Sequence, residues 1–133
     1  MGRLERTHRD FSDALRELMR ERNYSFPKLA REIGYRLSTT YLHNLASGKS
    51  TPTKDNIETI AKGLKVDPTY FKEYRRYQAK EKIDREPEIA DLILDERVAE
   101  AVSSFKDLTD EQKKEVVSLI KELKSKYQTK GGQ

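Results

Sequence analysis

Thr39, Thr40, His43 and Asn44 carry side chains that donate or accept hydrogen bonds, and their spacing places them along one side of a short helix. Groups of this kind can read base edges in duplex DNA. An Asn amide can pair with adenine, and a Thr methyl can touch the methyl of thymine. Arg36, Ser38, Lys49, Ser50, Thr51 and Lys54 surround them, with Ser25 and Lys28 one helix earlier. Cations, hydroxyls and helix N-termini are the usual holders of phosphate oxygens, which position a protein without reading sequence.

Catalytic chemistry has far less support. The chain has no cysteine, which excludes disulfides, thiolate zinc sites and thiol nucleophiles. Its two histidines, His8 and His43, have no metal-ligand spacing around them. There is no Gly-rich phosphate loop and no strained serine elbow. The carboxylates alternate with Lys and Arg, as on solvated helix faces. An enzyme is therefore not expected, and no catalytic residue, metal or cofactor is assigned.

The elements that must hold the polar row are short. Ser25 can cap a helix carrying Leu29, Ala30 and Ile33 inward, with Pro27 in its first turn and Gly34 at its end. Tyr24 and Leu29 have the spacing of a hydrophobic staple. Ser38 can cap a second helix over residues 39–46, anchored by Leu42 and Leu45 and closed by Gly48, with Tyr41 between core and groove. A short polar helix flanked by basic loops suits a major groove.

At this point a resemblance enters. Leu29, Ala30, Gly34, Leu42, Leu45, Gly48, Pro52, Ile57, Ile60, Ala61, Leu64 and Val66 resemble the pattern of the XRE or lambda-repressor-like helix-turn-helix family over roughly residues 10–71. Between Gly34 and Leu42 the chain is about two residues longer than that pattern, the extra length falling in residues 35–37. This longer turn, the run over 41–52 and a helical tail are similar to a subgroup of mycobacterial EspR-type regulators. The resemblance implies an all-α chain: a five-helix lambda-repressor-like DNA-binding domain followed by a small helical dimerisation region. It further implies binding of double-stranded DNA and a role in transcription.

Composition agrees. Charged residues are 38% of the 133 and hydrophobic ones 35%, with a mean hydropathy of −0.93. No apolar run approaches the ~20 residues a membrane span needs. The start of the chain has no apolar signal region, so the expected location is cytoplasmic, at the nucleoid. The net charge of +4 is uneven. Residues 1–80 hold 17 Lys/Arg and 10 Asp/Glu, a net +7, whereas residues 81–133 hold 10 and 13, a net −3. Basic charge gathers on the half with the polar row, as phosphate binding requires.

The rest of the chain braces or pairs this unit. Residues 1–9 read as a loose arm. Phe11, Ala14, Leu15, Leu18 and Met19 form the apolar stripe of a bracing helix. Thr53 or Thr51 can cap a further helix with Ile57, Ile60, Ala61 and Leu64 inward, which Gly63 weakens by ~1 kcal/mol. Asp67-Pro68 reads as a helix start. Tyr70, Tyr74 and Tyr77 alternate with basic residues, a pattern read as packing rather than as a stacking platform for single strands.

The domain is therefore drawn at 1–77, a charged connector at 78–87 that is either a helix continuing from Tyr70 or a partly flexible link, a helical dimerisation region at 88–128 and a disordered tail at 129–133. Asp95 can cap one tail helix. Thr109 with Gln112 forms a capping box for the last, in which Asp110–Lys114 and Glu122–Lys126 are favourable pairs. Leu92, Ile93, Val98, Val102, Phe105, Val116, Leu119, Ile120, Leu123 and Tyr127 are apolar at helical spacing. They need a cover, either the first domain with the tail folded back or a second copy, and the expectation is a homodimer whose two recognition helices read two half-sites. The function expected is a sequence-specific DNA-binding regulator, a repressor, with no membrane partner. An antitoxin that regulates its own operon and a low-specificity DNA-bridging nucleoid protein are the alternatives.

Overall fold

The first unit is built from helices whose ends are closed by local chemistry. In the computed structural model, which describes residues 6–131 with side chains through residue 128, the chain divides into two units, 1–85 and 86–133. The first contains α1 (Phe11–Glu21), α2 (Phe26–Glu32), α3 (Thr39–Ala46), α4 (Lys54–Leu64), a 3-10 turn (Pro68–Tyr70) and α5 (Lys72–Arg85). Every described element of both units is helical, so the fold is all-α. Ser25, Ser38 and Thr53 cap α2, α3 and α4 by accepting from the backbone N–H three residues on, at 3.0–3.2 Å.

The four helices α1 to α4 end alike. Just past each end stands a residue with left-handed backbone: Asn23, Gly34, Gly48 and Lys65. The next N–H in each case reaches back five residues to a helix carbonyl, from Tyr24 to Met19, Tyr35 to Ala30, Lys49 to Asn44 and Val66 to Ala61. This is the Schellman closure, which satisfies carbonyls that a helix end leaves orphaned. Tyr24 and Val66 then turn back to pack on the core. At the α2–α3 turn Tyr35 is left-handed as well (φ 58°) and 71% exposed. The longer turn is thus absorbed by two consecutive left-handed residues, with Leu37 returning to the core edge.

Leu15, Leu18, Leu29, Leu42, Leu45, Ile57, Ile60, Leu64 and Phe71 are fully buried. They draw α1 and α2 against α3, and α2 and α5 against α4. Phe71, between the 3-10 turn and α5, meets Phe11 with ring centroids 4.7 Å apart. Tyr70, Tyr74 and Tyr77 pack around the same core, which accords with the packing reading of those rings.

Three boundaries differ from those drawn on sequence. Residues 6–9, placed in a loose arm, are pinned. Thr7 N–H donates to Tyr70 O at 3.0 Å, Arg75 Nη2 donates to Thr7 O at 2.9 Å, and Arg9 pairs with Glu17. Residues 1–5 of the arm lie outside the described residues. The connector at 78–87 is helix through Arg85, and the units part at 85/86 rather than after 77. Of the two readings of the connector, the helix continuing from the Tyr70 region is the one observed, tied to the first unit by Tyr74 and Tyr77 at its start and by Glu81 within it.

In the second unit, α6 (Glu88–Leu94) packs on α7 (Glu96–Phe105), which Asp95 caps through Arg97 N–H at 2.8 Å, and α8 (Asp110–Gly131) follows. The same aspartate is held below the usual carboxylate range by its hydrogen bond with Arg97. Thr109 and Gln112 exchange both bonds of the capping box, at 2.9 and 3.2 Å. Residues 129–131, assigned to a disordered tail, continue α8, while 132–133 lie outside the described residues. Lys114 stands 3.6 Å from Glu111 rather than beside Asp110, as weak exposed pairs on one helix face readily exchange. Among the described residues no helix is long and apolar enough to cross a membrane.

Gly63 has a role that helix propensity hides. A Cβ there would collide with Ile33 Cγ2 and lie 3.1 Å from Leu29 Cδ1, both in the buried α2–α4 contact. Gly63→Ala should therefore destabilise by ~1–3 kcal/mol through overpacking, against the ~1 kcal/mol gain of an ordinary helical Gly→Ala change. Lys65→Gly, at the left-handed end of the same helix, should stabilise by up to ~1 kcal/mol. Chemical denaturation of both variants measures the two signs, and a stabilised Gly63→Ala would refute the close-approach argument.

Candidate nucleic-acid interface

On α3 the buried edge is Leu42, Leu45 and Ala46, so Thr39, Thr40 and His43 necessarily turn outward, and all three are exposed. Asn44 lies at the border and is half-buried. Ser47, at the C-cap, is exposed beside them with its hydroxyl donating to Asn44 O at 3.2 Å. The sequence reading omitted Ser47 because it sits beyond the helix proper. It also omitted Phe26, whose ring meets the edge of the His43 imidazole at 5.2 Å between centroids. Phe26 limits the orientations open to His43, and no spacing rule links residues seventeen positions apart on different helices.

Three tertiary contacts hold the ridge in place. Arg16 on α1 donates from Nη1 to Ala46 O at 2.6 Å, satisfying a carbonyl at the end of α3, while also pairing with Asp13. Asn56 Nδ2 donates to the Tyr41 hydroxyl at 2.8 Å, which ties α3 to the first turn of α4. Tyr41 is therefore a support, half-buried on the core, rather than a free groove contact. The Tyr77 hydroxyl donates to Pro52 O at 2.8 Å and fixes the loop that leaves α3.

The flanking residues expected to meet phosphate separate into two sets. Ser25 and Lys28 stand at the start of α2, with the Lys28 ammonium 4.7 Å from the centre of the Tyr24 ring. Ser38 caps α3. Lys49, Ser50 and Thr51 follow it, Lys49 and Thr51 exposed and Ser50 half-buried. These residues lie on the α2 start, the α3 start and the loop after α3. The other set is Lys54 and Arg36. Lys54 stands 2.7 Å from Glu81 and over the Tyr74 ring, and the Glu81 hydrogen bond holds its ammonium above the ordinary lysine value. Arg36, exposed and in no ion pair among the described residues, lines a depression of about 470 Å³ with Asp55, Glu58, Thr59, Lys62 and Pro68, so that carboxylates share its surroundings.

The helix-turn-helix family model matches residues 15–71. Those residues are similar to that family in sequence, and they contain two helices joined by a turn, α2 and α3. The match supports the XRE or lambda-repressor-like resemblance and the DNA-binding nature of this unit. No curated protein and no solved structure matches the chain. In this pair α2 is the supporting helix and α3 the one with the outward polar ridge. Among the described residues no group of three or more His, Asp or Glu side chains is placed to hold a metal ion.

Because the Tyr41 hydroxyl braces α3 from behind, Tyr41→Phe should cost about 1 kcal/mol of stability, the net worth of one hydrogen bond with Asn56 left partly unsatisfied. It should leave sequence preference on DNA unchanged. Unfolding curves and binding to a panel of point-substituted duplexes separate the two effects, and a changed base preference would make Tyr41 a reading residue instead.

Proposed function

We propose that this chain is a sequence-specific regulator of transcription that binds double-stranded DNA as a homodimer and acts as a repressor. The observation that carries the reading is the exposed ridge of Thr39, Thr40 and His43, with Asn44 at its edge, on a helix braced by Arg16, Tyr41 and Tyr77. Rigid presentation matters because base-edge hydrogen bonds discriminate only when both partners are held in register. Ser25, Lys28, Ser38, Lys49, Ser50 and Thr51 hold phosphates on either side. Arg36 adds a further cation at the turn before α3, and Lys54 contributes only if phosphate displaces Glu81. The longer turn at residues 34–37, with the helical second unit, favours the EspR-type subgroup within the family.

The dimer rests on the second unit. Leu92, Ile93, Val102, Leu119, Ile120, Leu123 and Tyr127 are exposed, and Val98, Phe105 and Val116 are half-buried. Val116, Ile120, Leu123 and Tyr127 alternate by four, three and four residues, the spacing of a coiled-coil seam. An open groove of about 690 Å³ runs beside them, lined by Leu108, Val116 and Leu119 among charged residues. A matching copy of the same face would cover this surface and set two α3 ridges on one duplex.

Selection of bound duplexes from a random pool should return a palindrome whose half-sites are about 10 base pairs apart, or a multiple of that. His43→Ala should relax preference at one position per half-site, costing ~1–3 kcal/mol of discrimination there. A pool with no enriched motif would refute sequence-specific reading. Replacement of both Ile120 and Leu123 by Lys should turn the dimer into a monomer by sedimentation while leaving the first unit folded. A parent chain that sediments as a monomer at all concentrations would refute the dimer.

A further inference from the structure

The first half of α5 presents one face toward the loop that leaves α3. Glu73, Arg76, Tyr77 and Lys80 recur at helical spacing and line, with Thr51 and Pro52, a small depression of about 220 Å³. The Tyr77 hydroxyl, donating to Pro52 O at 2.8 Å, anchors the two elements to each other. Arg76 and Lys80 therefore flank the loop whose start, Lys49 to Thr51, is the part of the proposed interface after α3.

Charge accounting separates these two cations from their neighbours. Lys72 is paired with Asp10, Lys54 with Glu81 and Arg9 with Glu17, and Arg75 spends its guanidinium on the carbonyls of Thr7, Thr69 and Tyr70. Arg76 and Lys80 are exposed, and among the described residues neither side chain is in an ion pair or hydrogen bond. Glu73 accepts from Phe11 N–H at 3.1 Å, and Asp10, whose pKa is lowered chiefly by Lys72 and to a smaller degree by the charge of Arg76, holds that lysine at 2.7 Å.

We propose that α5 is part of the nucleic-acid interface: Arg76 and Lys80, set beside the Lys49–Pro52 loop, hold the sugar-phosphate backbone of duplex DNA. The two side chains stand about 6 Å apart along the helix axis, close to two steps of one strand at about 3.4 Å each. Both are long and flexible, so they fit a contact that positions the duplex rather than one that reads it. The footprint then extends beyond the helix-turn-helix segment, onto a helix that ends at the boundary of the second unit. This inference rests on the proposed DNA binding.

The test is fluorescence anisotropy of the full chain with a labelled duplex of about 30 base pairs carrying the motif selected from the random pool, at several salt concentrations. The variants are Arg76→Gln with Lys80→Gln, and separately Lys49→Gln. The double variant should bind more weakly to every sequence, keep the parent's base preferences, and flatten the dependence of log K on log salt by about 1 per lost contact. Since both side chains are exposed and unpaired, its thermal unfolding should match that of the parent. A double variant with the parent's affinity and salt slope, beside a Lys49→Gln variant with a flattened slope, would overturn this inference and leave the proposed function standing. A parent that binds no duplex even at low salt would overturn both. Altered base preference in the double variant would also overturn it, since phosphate contacts carry no direct sequence information.

Discussion

The contact on which the first unit depends is the seating of Leu42, Leu45 and Ala46 on α1 and α2. A helix of eight residues is far too short to persist alone in water, so α3 exists because its apolar edge is buried. Burial of that edge turns Thr39, Thr40 and His43 outward. Fold and ridge therefore share one cause, and a loss of packing beneath α3 removes the ridge along with the helix. The close approach of α2 and α4 at Gly63 serves the same end, because α2 is half of the seat.

Around this seat, the chain uses side chains as long-range caps. Arg16 closes the end of α3, and Arg22 Nε donates to Leu64 O at 2.7 Å at the end of α4. Arg75 gathers three carbonyls from the N-terminal residues and the 3-10 turn. Each satisfies carbonyls that a helix or turn leaves over, with a charge-assisted bond stronger than a neutral one. Much of the positive charge in residues 1–80 is therefore structural. Net charge alone overstates the cations open to a phosphate backbone, and the ion pair at Lys54 makes the same point within the expected interface.

The second unit has the opposite character. Its described side chains include none that is fully buried, and its large apolar residues are half-buried or exposed. Large exposed apolar patches are unusual for a chain acting alone, and on this the proposed dimer rests. The capping box at Thr109 and the Asp95 cap define where its helices begin, but caps contribute only ~1 kcal/mol each and do not cover a face.

Local chemistry was legible in the residues themselves. The serine and threonine caps, the left-handed glycines at 34 and 48, the apolar edges of α1 to α4 and the outward polar row all involve partners within about five positions. Spacing determines such features because the helix geometry that joins the partners is known in advance. Other features were out of reach of spacing. Tyr41 bonding Asn56, Phe26 against His43, Gly63 beneath Ile33, Tyr77 on Pro52 and Glu81 on Lys54 join residues from different elements, 15 to 30 positions apart. Helix spacing says which way a side chain leaves its own axis but not what it meets. Only the packing of one helix on another decided that Lys54 pairs with Glu81, that residues 78–85 are helix rather than link, and that Arg76 and Lys80 stand beside the loop after α3.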